Sequence, residues 1–161
     1  MQIMSSINFD RFDVQILDAL QHDARSTHQK LSQTIPLSPS QIGRRIQRLE
    51  EAGVIDSYRV NLRPERLGLS VLAFINVFLD HHGEAVVRDF ASAVADLPEV
   101  LEAYAVSGEA DYWLRVQVPD LPSLSRFVMH TLMCVPSVRS VKSTIALEPV
   151  KRSAPLPLGH A

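Results

Sequence analysis

The chain has 161 residues, 46% of them hydrophobic, and sixteen Lys and Arg against eighteen Asp and Glu give it a net charge of −2. This supports one domain of moderate size or two small ones and excludes a generically basic nucleic-acid coat. One cysteine, Cys134, excludes an internal disulfide framework and a cysteine-based zinc site.

A first amphipathic helix is predicted over residues 10–21 (DRFDVQILDALQ), where Phe12, Ile16 and Leu20 recur at four-residue spacing beside Leu17. Residues 25–37 (RSTHQKLSQTIPL) predict a short second helix containing Leu31, capped by Ser26 or Thr27. A link of four residues, 35–38, leads into SPSQIGRRIQRLEEAGVI, residues 38–55. Here entry, body and exit are all marked. Ser38 is the N-cap, Pro39 suits the first helical position, and Ser38-x-x-Gln41 makes a capping box. Ile42, Ile46 and Leu49 form the apolar stripe, and Gly53 supplies the stop.

Arg44, Arg45 and Arg48 concentrate positive charge on this helix, which favours specific docking to nucleic acid. At about 100° per residue, Ser40, Arg44 and Gln47 point within about 40° of the pole opposite the stripe. Gln41 and Arg48 flank that pole, and Arg45 falls much nearer the stripe. Ser40, Arg44 and Gln47 are therefore candidates for base edges, and Gln41 and Arg48 for bases or phosphates. Arg45 suits a phosphate contact or an internal ion pair. Ser38 closes the candidate DNA-contacting set. Two short helices behind a supporting one read as a helix-turn-helix. Residues 54–60 (VIDSYRV) alternate, which predicts a short strand or wing. Residues 1–60 are thus assigned to a DNA-binding domain.

Residues 61–70 (NLRPERLGLS) contain Pro64 and Gly68 and read as a linker. Beyond it a strand is predicted over 71–79, a helix over 83–97 with Val86, Val87, Phe90, Val94 and Leu97 on one stripe, and a strand over 100–106. A turn, SGEAD, follows at 107–111. A strand at 112–118, a helix at 121–134 capped by Asp120, and a strand at 138–147 complete the chain. The order βαββαβ is the ferredoxin-like pattern, so the whole is α+β. A weak internal repeat agrees with it. Leu97-Pro98-Glu99-Val100 and Val135-Pro136-Ser137-Val138 end the two helices alike. Two helices cover one face of such a sheet, yet Phe74 and Trp113 fall on the other. That face predicts a second copy related by a two-fold axis.

The chain resembles the Lrp/AsnC family, the leucine-responsive and asparagine regulators of bacteria and archaea, from about Phe9 to Lys151. Its carriers are DRFDVQILDALQHDAR, LSPSQIGRRIQRLEEAGVI and SGEADYWLRVQVPD, in this order and spacing. The resemblance implies a transcriptional regulator and not an enzyme. It implies a ligand-sensing and oligomerisation domain, often called RAM, here residues 71–151. It implies homodimers assembling further, typically to octamers, and an amino-acid effector bound where dimers meet. The capped arginine helix and the two-fold dimer together predict a pseudo-palindromic duplex operator. Gly108 and Asp111 match the family's G-x-x-D, with Glu109 between them. A backbone N–H row at the glycine suits a carboxylate, and the aspartate suits an ammonium group. Val141 and Ser143 are further lining candidates.

Three positions depart from the family pattern. Pro36 stands where the turn usually carries Gly, so the link has a different shape or the second helix ends early. Lys30 replaces a Glu, so a Thr27 capping box is lost and Ser26-x-x-Gln29 is the substitute. Gly43 lies inside the recognition helix at a cost of about 1 kcal/mol relative to alanine.

Other features carry no chemistry on their own. Asp80-His81-His82 reads as a solvated loop, Cys134 as a buried inert thiol, and residues 152–161 as a frayed, flexible tail. No metal or cofactor site is expected besides the amino-acid site. No membrane span or signal peptide is read, so the expected location is the cytoplasm, in association with the nucleoid. Two alternatives stay open: a ligand-independent DNA-organising protein of the same fold, and a small-molecule enzyme or regulatory subunit built on the ferredoxin-like half.

Overall fold

Asp10 starts the first helix. Its carboxylate accepts the amides of Phe12 and Asp13 at 2.8 and 3.0 Å, and the Asp13 carboxylate accepts the Asp10 amide at 3.1 Å. This reciprocal cap fixes α1 at Arg11–His22. The computed structural model describes residues 8–81 and 83–159. They divide into two units: one runs to Asn61 and takes in the chain from Lys151 onward, the other spans Leu62–Val150.

In the first unit α2 is a single turn, His28–Leu31, capped by the Thr27 hydroxyl on the Lys30 amide. The Ser26 substitute is not used. The Ser26 hydroxyl donates instead to Asp23, whose carboxylate also pairs with Lys30 at 2.7 Å. The α-helix ends at Leu31, well short of Pro36. A proline disfavours α conformation in the residue before it and offers no amide, so the chain turns through residues 32–37. Ile35 remains buried within that turn. The recognition helix α3 spans Pro39–Glu51. Ile16, Leu20, Leu31, Ile35, Ile42, Ile46 and Leu49 form one core, each worth roughly 1.5–3 kcal/mol of burial.

Residues 54–60 form no strand. The alternation is present, but no strand among the described residues supplies ladder partners, and Val60 is 83% exposed. The Tyr58 hydroxyl instead donates to Glu50 at 2.9 Å. The tail also departs from expectation. The Gln21 side chain accepts the Leu156 amide at 2.6 Å and donates to the Leu156 carbonyl at 3.3 Å, so one glutamine satisfies both backbone groups of that residue.

The second unit opens with a 3-10 turn, Pro64–Leu67, ended by Gly68 at φ 77°. Then follow β1 (Val71–Leu79), α4 (Glu84–Ala95), β2 (Val100–Ala105), β3 (Tyr112–Val118), α5 (Leu121–His130) and β4 (Val138–Ile145). The antiparallel sheet has the order β2-β3-β1-β4. Ala73, Ile75, Val77 and Leu79 from β1 pack with Leu114, Val116 and Val118 from β3 against Phe90, Val94, Leu124 and Phe127. Gln117 points to the other face but is buried, because its amide donates to the carbonyls of Leu69 and Val71 at 2.8 and 3.2 Å.

The two helices are shorter than the patterns predict. Val87, expected on the apolar stripe of α4, is 45% exposed. α5 ends at His130 with Thr131 as its C-cap, the Thr131 amide still bonded to the Phe127 carbonyl, and a separate 3-10 turn, Leu132–Cys134, follows. That turn buries Leu132 and leaves Cys134 exposed, against the expected buried thiol. His82 of the Asp80-His81-His82 triplet lies outside the described residues. Among the described residues no helix is long and apolar enough to cross a membrane.

Candidate nucleic-acid interface and ligand cleft

The cap of α3 forms as a reciprocal pair. The Ser38 hydroxyl accepts the Gln41 amide at 3.3 Å, and the Gln41 side-chain carbonyl accepts the Ser38 amide at 2.9 Å. The Ser38 hydroxyl also lies 3.1 Å from that of Ser40. Ser38 and the Gln41 carbonyl are thus occupied by the cap, and the Gln41 amino group is what remains for a ligand. Ser40, Arg44 and Gln47 all project to solvent. Gln47 is steadied by donating to Glu51 at 2.8 Å. Gln41, Arg44, Arg45 and Arg48 line an open cleft of about 310 Å³.

Beneath this surface lies a residue the pattern did not single out. Asp13 is fully buried, and its carboxylate takes Arg45 Nη1 at 2.8 Å and Arg48 Nη2 at 2.5 Å. Arg45 Nη1 also reaches Asp10 Oδ2 at 2.8 Å, and its guanidinium lies 5.6 Å from the centre of the Phe12 ring. Arg45 is therefore the internal ion pair of the two roles weighed for it. Asp13 raises the Arg45 guanidinium pKa, against an opposing desolvation, with Asp10 adding to the rise. Desolvation alone would raise the Asp10 carboxyl, but hydrogen bonds from the Asp13 amide and Arg45 leave it below its ordinary value. Arg48 is half exposed and holds Asp13 with one nitrogen, so its remaining donors are directed by that anchor. Asp13 also completes the cap of α1 by accepting the Asp10 amide. Only the approach of α1 to α3 reveals its role as an ion-pair partner.

In the second unit the SGEAD turn is tied to β1 through Asp111. Its amide donates to the Val77 carbonyl at 3.0 Å, its Oδ2 accepts the Leu79 amide at 2.8 Å, and its carbonyl accepts the Val106 amide at 3.1 Å. Gly108 has φ 140°, a conformation L side chains rarely adopt. A cleft of about 230 Å³ beside the turn is lined by Asn76, Phe78, Val106, Ser107, Glu109, Ala110 and Lys142. Glu109 is thus brought into it, while Gly108 and Asp111 shape the turn behind. Val141 and Ser143 do not join them. They pair with Val77 and Ile75 in the sheet and so share the core-bearing face. The register puts Lys142 opposite Asn76 on the other face, a placement that no single-strand pattern shows.

That other face carries a stack of Phe74 on Trp113, 5.0 Å between centroids and 15° between planes, with Tyr104 6.0 Å from Trp113. Arg115 and Glu102 pair beside them at 2.6 Å.

Comparison with known proteins agrees with this geometry. Residues 9–50 match the AsnC-type helix-turn-helix domain, and residues 72–156 match the Lrp/AsnC ligand binding domain. The Bkd operon transcriptional regulator of Pseudomonas aeruginosa is 39% identical over 147 residues, covering 91% of this chain and 96% of that protein. The leucine-responsive regulatory protein of Escherichia coli K12 is 36% identical over 146 residues, covering 91% and 89%. Among solved structures, a Neisseria meningitidis transcriptional regulator in complex with L-Met superposes with a TM-score of 0.90 at 37% identity, covering 95% of this chain and 99% of that one. E. coli AsnC superposes with a TM-score of 0.81 at 27% identity, covering 93% and 100%. These are transcriptional regulators, which removes the enzyme alternative. An arginine-bearing recognition helix, a ferredoxin-like sheet and matches to both halves place the chain in the Lrp/AsnC family of DNA-binding transcriptional regulators.

Proposed function

We propose that this regulator binds a pseudo-palindromic duplex as a homodimer or higher assembly and that an amino acid changes that binding. The observation that carries it is the capped α3, which presents Ser40, Arg44 and Gln47 outward while Asp13 holds Arg45 and Arg48 from behind. In this reading Arg44 reads a base, and Gln41 and Arg48 flank it. Residues 1–60 form the DNA-binding domain, 61–70 the linker and 71–151 the ligand-binding and oligomerising domain. The Phe74–Trp113 face is where the second copy packs. The effector is an amino acid held near the Ser107–Asp111 turn, with Gly108, Glu109 and Asp111 as its polar surroundings. The L-Met bound by the Neisseria relative supports this ligand class. The site of action is the cytoplasm, on chromosomal DNA.

The engagement of Asp111 with the Leu79 amide favours a second reading, a ligand-independent DNA organiser, because that carboxylate already has structural work. One titration separates them. Duplexes selected by the protein from a random pool are bound in fluorescence anisotropy with and without each standard amino acid. An amino acid that shifts the binding curve supports sensing. Binding unchanged by all of them supports the organiser, and no selected duplex at all defeats both.

A further inference from the structure

Gly43 is the one residue of α3 whose presence the helix itself opposes, since glycine costs about 1 kcal/mol there. The structure shows what occupies the space. A Cβ at Gly43 would lie 3.0 Å from both Cε1 and Nδ1 of His28, closer than side chains normally approach. The imidazole of His28, the first residue of α2, is therefore seated directly on the recognition helix. No hydrogen bond or ion pair engages its ring nitrogens among the described residues, and the residue is exposed.

The position of that seat matters. Around α3, Gly43 lies about 90° from the centre of the buried stripe, on the flank opposite Gln41 and Arg48. Arg44 stands at the pole, and Gln41 and Arg48 extend the polar surface to one side. On the other side Ser40 and Gln47 stand nearer the pole, Gly43 leaves the flank below them bare, and His28 fills it. In a helix-turn-helix the helix preceding the recognition helix crosses the phosphodiester backbone. A histidine at its start, resting on the recognition helix, is directed to the strand alongside the groove. Neutral imidazole donates from one nitrogen, and either form offers a donor to a phosphate oxygen.

We propose that His28 is a DNA-contacting residue of this protein, donating to a backbone phosphate, and that Gly43 exists to seat it. Sequence periodicity on α3 alone misses it, because the residue belongs to the preceding helix.

The test uses the full chain and a duplex selected by it from a random pool, with a random-sequence duplex alongside. His28→Ala is expected to weaken both duplexes by about the same factor, 5- to 20-fold, since a phosphate contact carries no base information. His28→Gln, which keeps a donor, is expected to recover part of the loss. Gly43→Ala is expected to weaken binding similarly in the parent but to have no further effect on His28→Ala, because the ring it displaces is already gone. In that background it should raise the unfolding temperature, as alanine replaces glycine in a helix. Full affinity in His28→Ala overturns the proposal. So does a Gly43→Ala loss of equal size in both backgrounds, which would make the glycine a direct point of DNA approach. Failure of the parent to select any duplex would instead defeat the DNA-binding reading itself, so the two failures are distinguishable.

Discussion

Asp13 is expected to change the sign of its contribution according to what stands opposite it. The carboxylate is fully buried, with Arg45 on Oδ1 and both Arg48 and the Asp10 amide on Oδ2. In the parent, Asp13→Asn keeps an acceptor for the Asp10 amide but weakens two charge-assisted bonds. The cost should be about 1.5–3 kcal/mol, the range for hydrogen bonds to charged groups. Arg48 is half exposed, so water replaces part of its share and the figure belongs at the lower end. Arg45→Ala together with Arg48→Ala leaves a buried carboxylate with no cation, a loss of about 3–5 kcal/mol. In that background Asp13→Asn removes the uncompensated charge and should stabilise by about 1–2 kcal/mol, part of the same penalty. The assay is urea unfolding followed by helix circular dichroism, with amide exchange at Ile46 and Leu49 reading the opening of α3. A cost of the same sign and size for Asp13→Asn in both backgrounds would refute the reasoning. Asp13 would then matter only as the cap of α1.

Ser38→Ala should cost about 1 kcal/mol through loss of the reciprocal cap on α3, read as a lowered urea midpoint. Trp113→Glu should convert the assembly to monomers in light scattering, since a charge placed on the Phe74 stack has no partner; an unchanged mass would move the dimer face elsewhere. The Lys30 hydrogen bond holds the Asp23 carboxyl below its ordinary value, and hydrogen bonds from Ser123 do the same for Asp120. Lowered folded values mean that this stability is complete above the unfolded value of about 3.9 and is lost as pH falls through the folded ones. The unfolding midpoint of Asp23→Asn should therefore lie below the parent near neutrality, with the gap narrowing as pH falls past the unfolded value and closing below the lowered folded one. A gap that persists at low pH would assign the effect to something other than ionisation.

The recognition helix was legible almost to the residue because each of its signals is local. A Ser, a Pro and a Gln within four positions set its start, and a glycine at φ 68° follows its end. The strand expected after it failed for the opposite reason. Alternation at residues 54–60 is a local pattern, but a strand exists only with a neighbour to bond. The candidate ligand residues show the same divide. The turn at 107–111 that holds Gly108 was readable from its composition, and the positive φ of the glycine there comes from the fold. Lys142 was not, because its face depends on which residue of β1 stands opposite it. Asp13 illustrates a further limit, since one carboxylate can serve a cap and an ion-pair network at once.

This double use of side chains bears on how the proposed effector would act. The cleft beside the SGEAD turn is lined by Asn76 and Phe78 of β1, and the same face of that strand carries Phe74 two positions before Asn76. Asp111 fastens the turn to β1 at Val77 and Leu79, the core-facing residues that alternate with these. A ligand that draws on the Asp111 carboxylate competes with the Leu79 amide, and one that enters the cleft presses on the strand bearing the Phe74–Trp113 stack. Either way the end of β1 is where ligand occupancy and packing of the proposed dimer face meet. Binding energy at the turn is then converted into a bias on assembly with no long pathway between the two. Linkage requires the reverse as well: conditions that favour assembly must tighten or weaken amino-acid binding by the same factor. Dilution calorimetry with and without the amino acid, on the parent and on Trp113→Glu, measures that factor from both sides. Equal ligand affinity in the assembled parent and the monomeric variant would separate the cleft from the interface and leave the turn a purely structural knot.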